Sequence, residues 1–271
     1  MDEMEILRRK VWRELRAVAR PDSRFHWDFT AFIPDYRGSE ACTEAIANLA
    51  ICRQAQTLFI TPDNNLASLR ARCLREGKTI IVPTYAIRRG FWLLHPGQVP
   101  QGQEDFAATL DGLERFATAI EPQHLAPDQA PQALVTGASV LNLEGVRLSP
   151  NPSYFDLEWL ILRTLGHVDG ETPVIASVHD CQLVDWPCQP HPLGCIADII
   201  VTPTRVLNTP RRFSKPASFQ WDQLPWNVIE EIPILARLHS RQLRQAKPPA
   251  PATPPARRQA PQSDPESPTE V

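Results

Sequence analysis

Residues 57–83, TLFITPDNNLASLRARCLREGKTIIVP, hold the pattern that decides the fold. Thr57-Leu58-Phe59-Ile60 is a short β-rich apolar run that breaks at Thr61-Pro62-Asp63. A helical stretch over 66–76 follows and stops at Gly77, and Thr79-Ile80-Ile81-Val82 is apolar again. Short apolar runs bounded by turn residues, with an amphipathic helix between them, predict strands buried on both faces. The same alternation continues outward. Ile6, Leu7, Val11, Leu15 and Val18 recur at helical spacing and predict a helix over 3–19 that stops before Pro21. Further helices are predicted over 41–54, 106–120 and 154–165, and strands over 91–94, 133–141, 174–178 and 199–202. The sum is an α/β chain with a mostly parallel sheet flanked by helices.

The 271 residues suffice for one sizeable domain, and 42% hydrophobic with 22% charged residues is ordinary globular composition. A net charge of −3 exerts no global pull toward nucleic acid or an anionic membrane. No apolar run approaches the roughly 18–20 residues that span a bilayer, and the acidic start Met1-Asp2-Glu3-Met4-Glu5 is unlike a secretory signal. The expectation is a cytoplasmic protein with no membrane partner. Its six cysteines at 42, 52, 73, 181, 188 and 195 would then be free thiols. A zinc site from His179, Cys181, Cys188, His191 and Cys195 is the alternative, although the paired spacing of structural zinc sites is missing.

In open parallel sheets, ligands sit beyond the carboxyl ends of the strands. That rule selects loops 61–65, 84–90, 142–153, 179–182 and 202–205, and every distinctive polar cluster falls in one of them. Arg88 and Arg89 before Gly90 suit a phosphate or carboxylate, or a surface salt bridge. His179-Asp180-Cys181-Gln182 suits acid–base work or a purely structural strand terminus. Arg9, Lys10, Arg13 and Arg16 make one side of the first helix cationic. Walker, GxGxxG, HExxH and GxSxG motifs are absent. The residues alone therefore describe an anion-friendly α/β pocket.

Several pieces in order carry a family resemblance across roughly residues 5–207. They are the basic helix with Arg9 and Arg13; Gly77-Lys78 before a strand ending at Pro83; Gly145-Val146-Arg147-Leu148; and Tyr154-Phe155-Asp156. Asp180-Cys181-Gln182-Leu183-Val184 and Asp198-Ile199-Ile200-Val201-Thr202 complete the set. The chain resembles the 5-formyltetrahydrofolate cyclo-ligase (methenyltetrahydrofolate synthetase) family. Asp156-Leu157-Glu158, Val178-His179-Asp180-Cys181-Gln182 and Thr202-Pro203-Thr204-Arg205-Val206 resemble a divergent branch of it, linked to thiamin metabolism. The resemblance implies a Rossmann-like fold similar to sugar-phosphate isomerases and CoA-transferases. It implies ATP- and Mg²⁺-dependent conversion of 5-formyltetrahydrofolate to 5,10-methenyltetrahydrofolate, in which the formyl oxygen is phosphorylated and a ring nitrogen displaces phosphate. It also implies catalytic roles for Arg147 and Asp156, with Asp156 as the magnesium contact. Arg9, Arg13, Arg88, Arg89, Tyr154, His179 and Gln182 would line the pocket for a nucleotide and a folate, pterin or thiamin-type ligand.

Two departures qualify the expected activity. The family's glycine-rich phosphate loop reads Ser149-Pro150-Asn151-Pro152-Ser153 here, and its folate-contacting Glu-x-x-Thr reads Asn64-Asn65-Leu66-Ala67. Proline has no N–H to offer a phosphate, and side chains obstruct the close backbone approach that glycine permits. The expectation is a cyclo-ligase-like protein whose closure activity is weak or lost, or else a re-purposed ligand-binding protein.

The expected organisation is an α/β domain over 1–233, a short basic helix over 234–245 with Arg237, Arg241 and Arg244, and a disordered tail over 246–271. Eight of the 28 prolines fall in that tail, and it has almost nothing apolar to bury. The cationic side of the basic helix is either a solvated face or a docking site for an acidic partner, and the sequence names no partner for the tail. Deleting residues 246–271 is expected to leave the melting temperature unchanged. A fall of several degrees would show that the tail packs.

Overall fold

The computed structural model describes residues 3–22, 27–29, 32–149 and 152–246. The tail assigned to 246–271 therefore lies, beyond residue 246, outside the described residues. Strand β1 (Thr57–Ile60) runs through an eight-stranded sheet, parallel to β2 (Thr79–Pro83) on one side and to β5 (Ala133–Gly137) on the other. Beyond β5 follow β7 (Val174–Ser177) and β9 (Ile199–Val201), also parallel. Antiparallel strands close the edges: β3 (Phe91–Leu94) and β4 (Thr118–Ile120) at one, β10 (Val206–Asn208) at the other. The full order is β10-β9-β7-β5-β1-β2-β3-β4. The chain leaves β1 toward β2, then returns to build β5, β7 and β9 on the other flank. The strand order thus reverses between β1 and β5, where such sheets open a crevice.

The apolar runs are unbroken because both faces are covered. Leu58, Ile60, Ile80, Val82, Ala133, Val135 and Ile175 face a core shared with α2 (Ser39–Asn48), α3 (Ala50–Gln54) and α4 (Ala67–Arg75). Phe59, Ile81, Leu134, Val174 and Ala176 face the opposite core. That face is filled by α7 (Tyr154–Thr164), centred on the fully buried Trp159. The period of two along each strand decides which core a residue joins. Helices α8 (Trp226–Glu231) and α9 (Pro233–Ala246) extend the second core through Ile229, Ile234, Leu235 and Leu238. The basic helix expected over 234–245 thus packs through its apolar side, while Arg237 pairs with Glu121 at 2.6 Å.

A smaller cluster seats α1 (Glu3–Val18) on a two-stranded sheet of β6 (Leu141–Asn142) and β8 (Leu183–Val184). Val11, Val140 and Leu148 are its buried centre. Three expected elements divide. The helix expected over 41–54 is parted at Leu49, whose ψ of 136° is extended; Asn48 turns its amide back onto the Glu44 carbonyl at 2.9 Å. The helix expected over 106–120 becomes α5 (Glu104–Ala107) and α6 (Leu110–Phe116), and Thr118–Ile120 instead pairs with β3 as strand β4. A vacant sheet edge outweighed local propensity there. The run 133–141 leaves the main sheet after Gly137, so that Leu141 joins β6.

The turn after β6 aims the next segment across the site. Asn142 Oδ1 accepts from the Glu144 and Val146 amides at 3.0 and 2.8 Å. Gly145 adopts φ +81°, and a Cβ there would lie 2.2 Å from the Ala197 carbonyl oxygen. Gly145→Ala is expected to cost at least about 2 kcal/mol in urea unfolding, from left-handed strain plus that collision. An unchanged midpoint would contradict this account of the turn.

Candidate functional site

The carboxyl ends of β1, β2 and β5 open on a cavity of about 660 Å³, within the size of small-molecule sites. Its walls include Trp12, Phe29, Phe32, Tyr85, Tyr154 and Phe155. Arg8, Asp63, Arg147 and Glu158 are its charged groups. The cavity coincides with the reversal of strand order between β1 and β5.

Asp63 is fixed by the loop after β1. Its Oδ2 accepts the Gly137 amide at 2.8 Å and the Thr61 hydroxyl, and so ties the ends of β1 and β5 together. Any side chain at 137 would press on it: a Cβ there would lie 3.0 Å from Asp63 Oδ2 and 2.8 Å from Ile33. From below, the buried Arg70 donates to the carbonyls of Thr61 at 2.6 Å, Asp63 at 3.1 Å and Ala108 at 2.9 Å. Desolvation lowers the Arg70 pKa to about 10, and burial raises that of Asp63. The rim after β2 is strained: Ala86 and Ile87 have φ of 52° and 57°, a region that a β-branched residue rarely enters.

Asp156 closes a different junction. Ser153 caps α7 by accepting the Asp156 amide, while Asp156 Oδ2 accepts from the Ser153 amide at 2.7 Å and hydroxyl at 2.8 Å. Oδ1 accepts the Cys195 amide at 2.8 Å and lies 3.6 Å from Arg147 Nη1. Both oxygens are therefore engaged. The space beside them, between Arg147 and Cys195, is about 10 Å³, room for one water. Magnesium binds through carboxylate oxygens and keeps several waters, whereas both Asp156 oxygens here already accept hydrogen bonds from the chain. Among the described residues, no three His, Cys, Asp or Glu side chains cluster as a metal site.

Arg147 and Glu158 carry unpartnered polar atoms at the cavity, as do Arg8 at Nε and Trp12 at Nε1. Arg147 Nη1 donates to the Cys195 carbonyl at 2.7 Å, and its guanidinium lies 4.5 Å from the Phe155 ring centroid. Its side chain is only 8% exposed, yet Nε and Nη2 have no hydrogen-bond partner among the described residues. Those two N–H groups form the side-on edge that holds a carboxylate or phosphate bidentately. Glu158, 3% exposed, likewise leaves Oε2 without a partner. Burial pushes its pKa well above the ordinary 4.5; the Asp63 charge adds to the rise and Arg147 opposes it.

Of the residues singled out from sequence, Arg147 and Tyr154 line the cavity. Gln182, fully buried, supports its wall: Nε2 donates to the Ala138 and Ser139 carbonyls at 2.6 and 3.3 Å, and Oε1 accepts the His179 amide at 2.7 Å. His179 accepts the Cys181 amide through Nδ1 at 3.2 Å and packs edge-on to Tyr36; burial lowers its pKa. Cys181 is pushed up to about 11, away from the thiolate a nucleophile needs. Arg9 and Arg13 are exposed on α1, Arg9 pairing with Glu5 at 2.8 Å. The first-helix cation that lines the cavity is Arg8, one turn before Trp12 on the same side. Arg88 and Arg89 are exposed and stand outside the cavity lining; Arg89 lies over Trp92 and pairs with Glu114. Asp63, Glu158 and Arg8 were not singled out as site residues. The signal for Arg8 was its spacing of four from Trp12, and Glu158 was conspicuous as a carboxylate inside an otherwise apolar helix.

An open α/β sheet with a part-aromatic, part-charged cavity at its switch point is a Rossmann-like architecture, the cavity lying where such sheets take ligands. The chain belongs to the 5-formyltetrahydrofolate cyclo-ligase family, whose model matches residues 1–203. It is 32% identical over 224 residues to the human methenyltetrahydrofolate synthase domain-containing protein, covering 79% of this chain and 56% of that one. To the zebrafish (Danio rerio) protein of the same description it is 28% identical over 249 residues, covering 89% and 63%. The chain thus spans less than two thirds of those relatives' length. The solved 5,10-methenyltetrahydrofolate synthetase of Aquifex aeolicus overlaps 82% of this chain and 99% of its own, at 16% identity and a TM-score of 0.47. That of Mycoplasma pneumoniae overlaps 74% and 98%, at 11% identity and a TM-score of 0.43. Neither likeness is near enough to assign a residue's role. No helix among the described residues is long and apolar enough to cross a membrane.

The raised Glu158 pKa has a testable sign. The folded protein keeps a proton that the unfolded chain releases above the ordinary 4.5. Stability is therefore lost as pH rises from that value toward the folded pKa, and is unaffected below it. Glu158→Gln lacks this loss. Its melting temperature relative to wild type is expected to be nearly pH-independent below about pH 4 and to climb toward about pH 7. A difference constant across that range would contradict the assignment.

Proposed function

We propose that the cavity binds a folate- or pterin-type compound, and that ATP-driven closure of 5-formyltetrahydrofolate to 5,10-methenyltetrahydrofolate is weak or absent in this chain. Family membership supports the ligand class. So do the aromatic walls, which suit a flat heterocycle, and the vacant side-on edge of Arg147, which suits an anionic group such as a phosphate or the glutamyl carboxylate of a folate.

The observation that carries the second half is the engagement of Asp156. A phosphoryl transfer leans on metal and preorganised donors around the moving group. Here the carboxylate expected to meet magnesium accepts three hydrogen bonds from the protein and faces a void the size of one water. The adjoining segment carries Pro150 and Pro152, which have no amide proton to contribute. ATP, when bound, would supply the phosphoryl group that activates the formyl oxygen. In this reading Arg147 would meet its phosphates and Tyr154 would stack on a ring, since both line the cavity.

The test is the absorbance rise of methenyltetrahydrofolate on mixing the purified protein with 5-formyltetrahydrofolate, ATP and magnesium, beside a family member with a glycine-rich loop. The expected rate is lower by a hundredfold or more, about what the loss of a single preorganised donor costs in acyl transfer. Comparable rates would overturn the reading, whereas tight binding of 5-formyltetrahydrofolate without turnover would support it.

A further inference from the structure

Glu158 is a buried carboxyl group that the fold itself does not explain. It stands one helical turn after Tyr154 on α7, so both side chains reach the same cavity. It is 3% exposed, its Oε2 has no hydrogen-bond partner, and no cation among the described residues lies within ion-pair distance. Buried polar groups are almost always paired, and a buried carboxyl without a partner destabilises the empty protein. Asp63 and Asp156, the other acidic groups whose charges act on it, are each satisfied by two or more donors. Among these three acids the missing partner is specific to Glu158, which faces space large enough for a bicyclic ring.

We propose that Glu158 reads the ring edge of the ligand, its two oxygens receiving the adjacent N–H donors of a 2-amino-4-oxopyrimidine ring such as a pterin presents. The inference rests on the reading of the cavity as a folate- or pterin-type site and names the residue that makes it selective. A carboxylate offers two parallel acceptors in one plane, and the ring N–H with its neighbouring amino N–H offers two parallel donors. Such donors favour the anion and offset the burial that disfavours it in the empty cavity. Replacing the 2-amino group by oxygen sets an acceptor against an acceptor. Sites built around a buried hydrogen-bonding group reject the analogue that lacks its partner more sharply than apolar pockets do.

The experiment titrates the full chain by calorimetry with pterin and with lumazine, its 2-oxo counterpart, in wild type and Glu158→Gln. Wild type is expected to bind pterin at least about tenfold more tightly, the worth of one hydrogen bond to a charged group. Glu158→Gln, nearly the same shape but with one donor and one acceptor, is expected to lose or invert that preference. Its ligand-free melting temperature at neutral pH is expected to equal or exceed that of wild type, because an unpaired acid has been removed. Pterin and lumazine bound equally by wild type, or a preference unchanged in Glu158→Gln, would overturn the role of Glu158 while leaving the cavity as a ring site. Binding of neither ring would remove the cavity reading and Glu158 with it. A Glu158→Gln protein markedly less stable than wild type would show Glu158 to be structural.

Discussion

The carboxylate of Asp156 is the constraint on which the site depends. It holds the first turn of α7 through Ser153, fixes the Cys195 backbone through its other oxygen, and lies beside the Arg147 guanidinium. Arg147 in turn grips the Cys195 carbonyl. Three chain segments thus meet at one buried carboxylate whose hydrogen bonds come from within the protein. Once α7 is anchored there, Tyr154 and Glu158 face the cavity and Trp159 faces the core. Hydrogen bonds to a charged group contribute more than neutral ones, and leaving such donors unmet in a dry interior is costly. The carboxylate that the family resemblance offers to magnesium is thus one whose two oxygens the chain's own donors already occupy.

The two flanks of the cavity are built differently. On the β1–β5 side the charged groups are satisfied, Arg70 donating to three carbonyls and Asp63 joining Thr61 to Gly137, while Asn65 Oδ1 finds no partner among the described residues. On the α7 side, Glu158 and part of Arg147 are left without partners. A fold that needed only stability would place apolar groups there, since isosteric apolar replacement of buried charge is commonly neutral or stabilising. The contrast between satisfied charges on one flank and unsatisfied ones on the other marks where an occupant would supply the missing contacts.

Much of the fold was legible because its strands are short apolar runs that admit no other reading. Phe59 and Ile60, for example, have to be covered on opposite faces. What escaped were elements decided by distant partners. Thr118–Ile120 has no strand pattern and becomes one because β3 offers a free edge. The loops that build the site were legible from the carboxyl-end rule, but the side chains that reach into the cavity were not. Arg8 and Arg9 differ by about 100° around α1, and only the docking of Trp12 decides which one faces inward. Arg88 and Arg89 sit in the right loop, yet its left-handed turn at Ala86 and Ile87 leaves Tyr85 and Ala86 at the cavity and both guanidiniums outside.

The most direct test of this account is the melting temperature of wild type and Asp156→Ala, each measured alone and with ATP and magnesium. If Asp156 is the keystone, the variant loses several degrees without any ligand, a loss on the order of 3 kcal/mol for unpairing a buried charged network. Any increment from ATP and magnesium would then be the same in both proteins. A variant as stable as wild type that no longer gains stability from ATP and magnesium would contradict the account, and would return Asp156 to the metal.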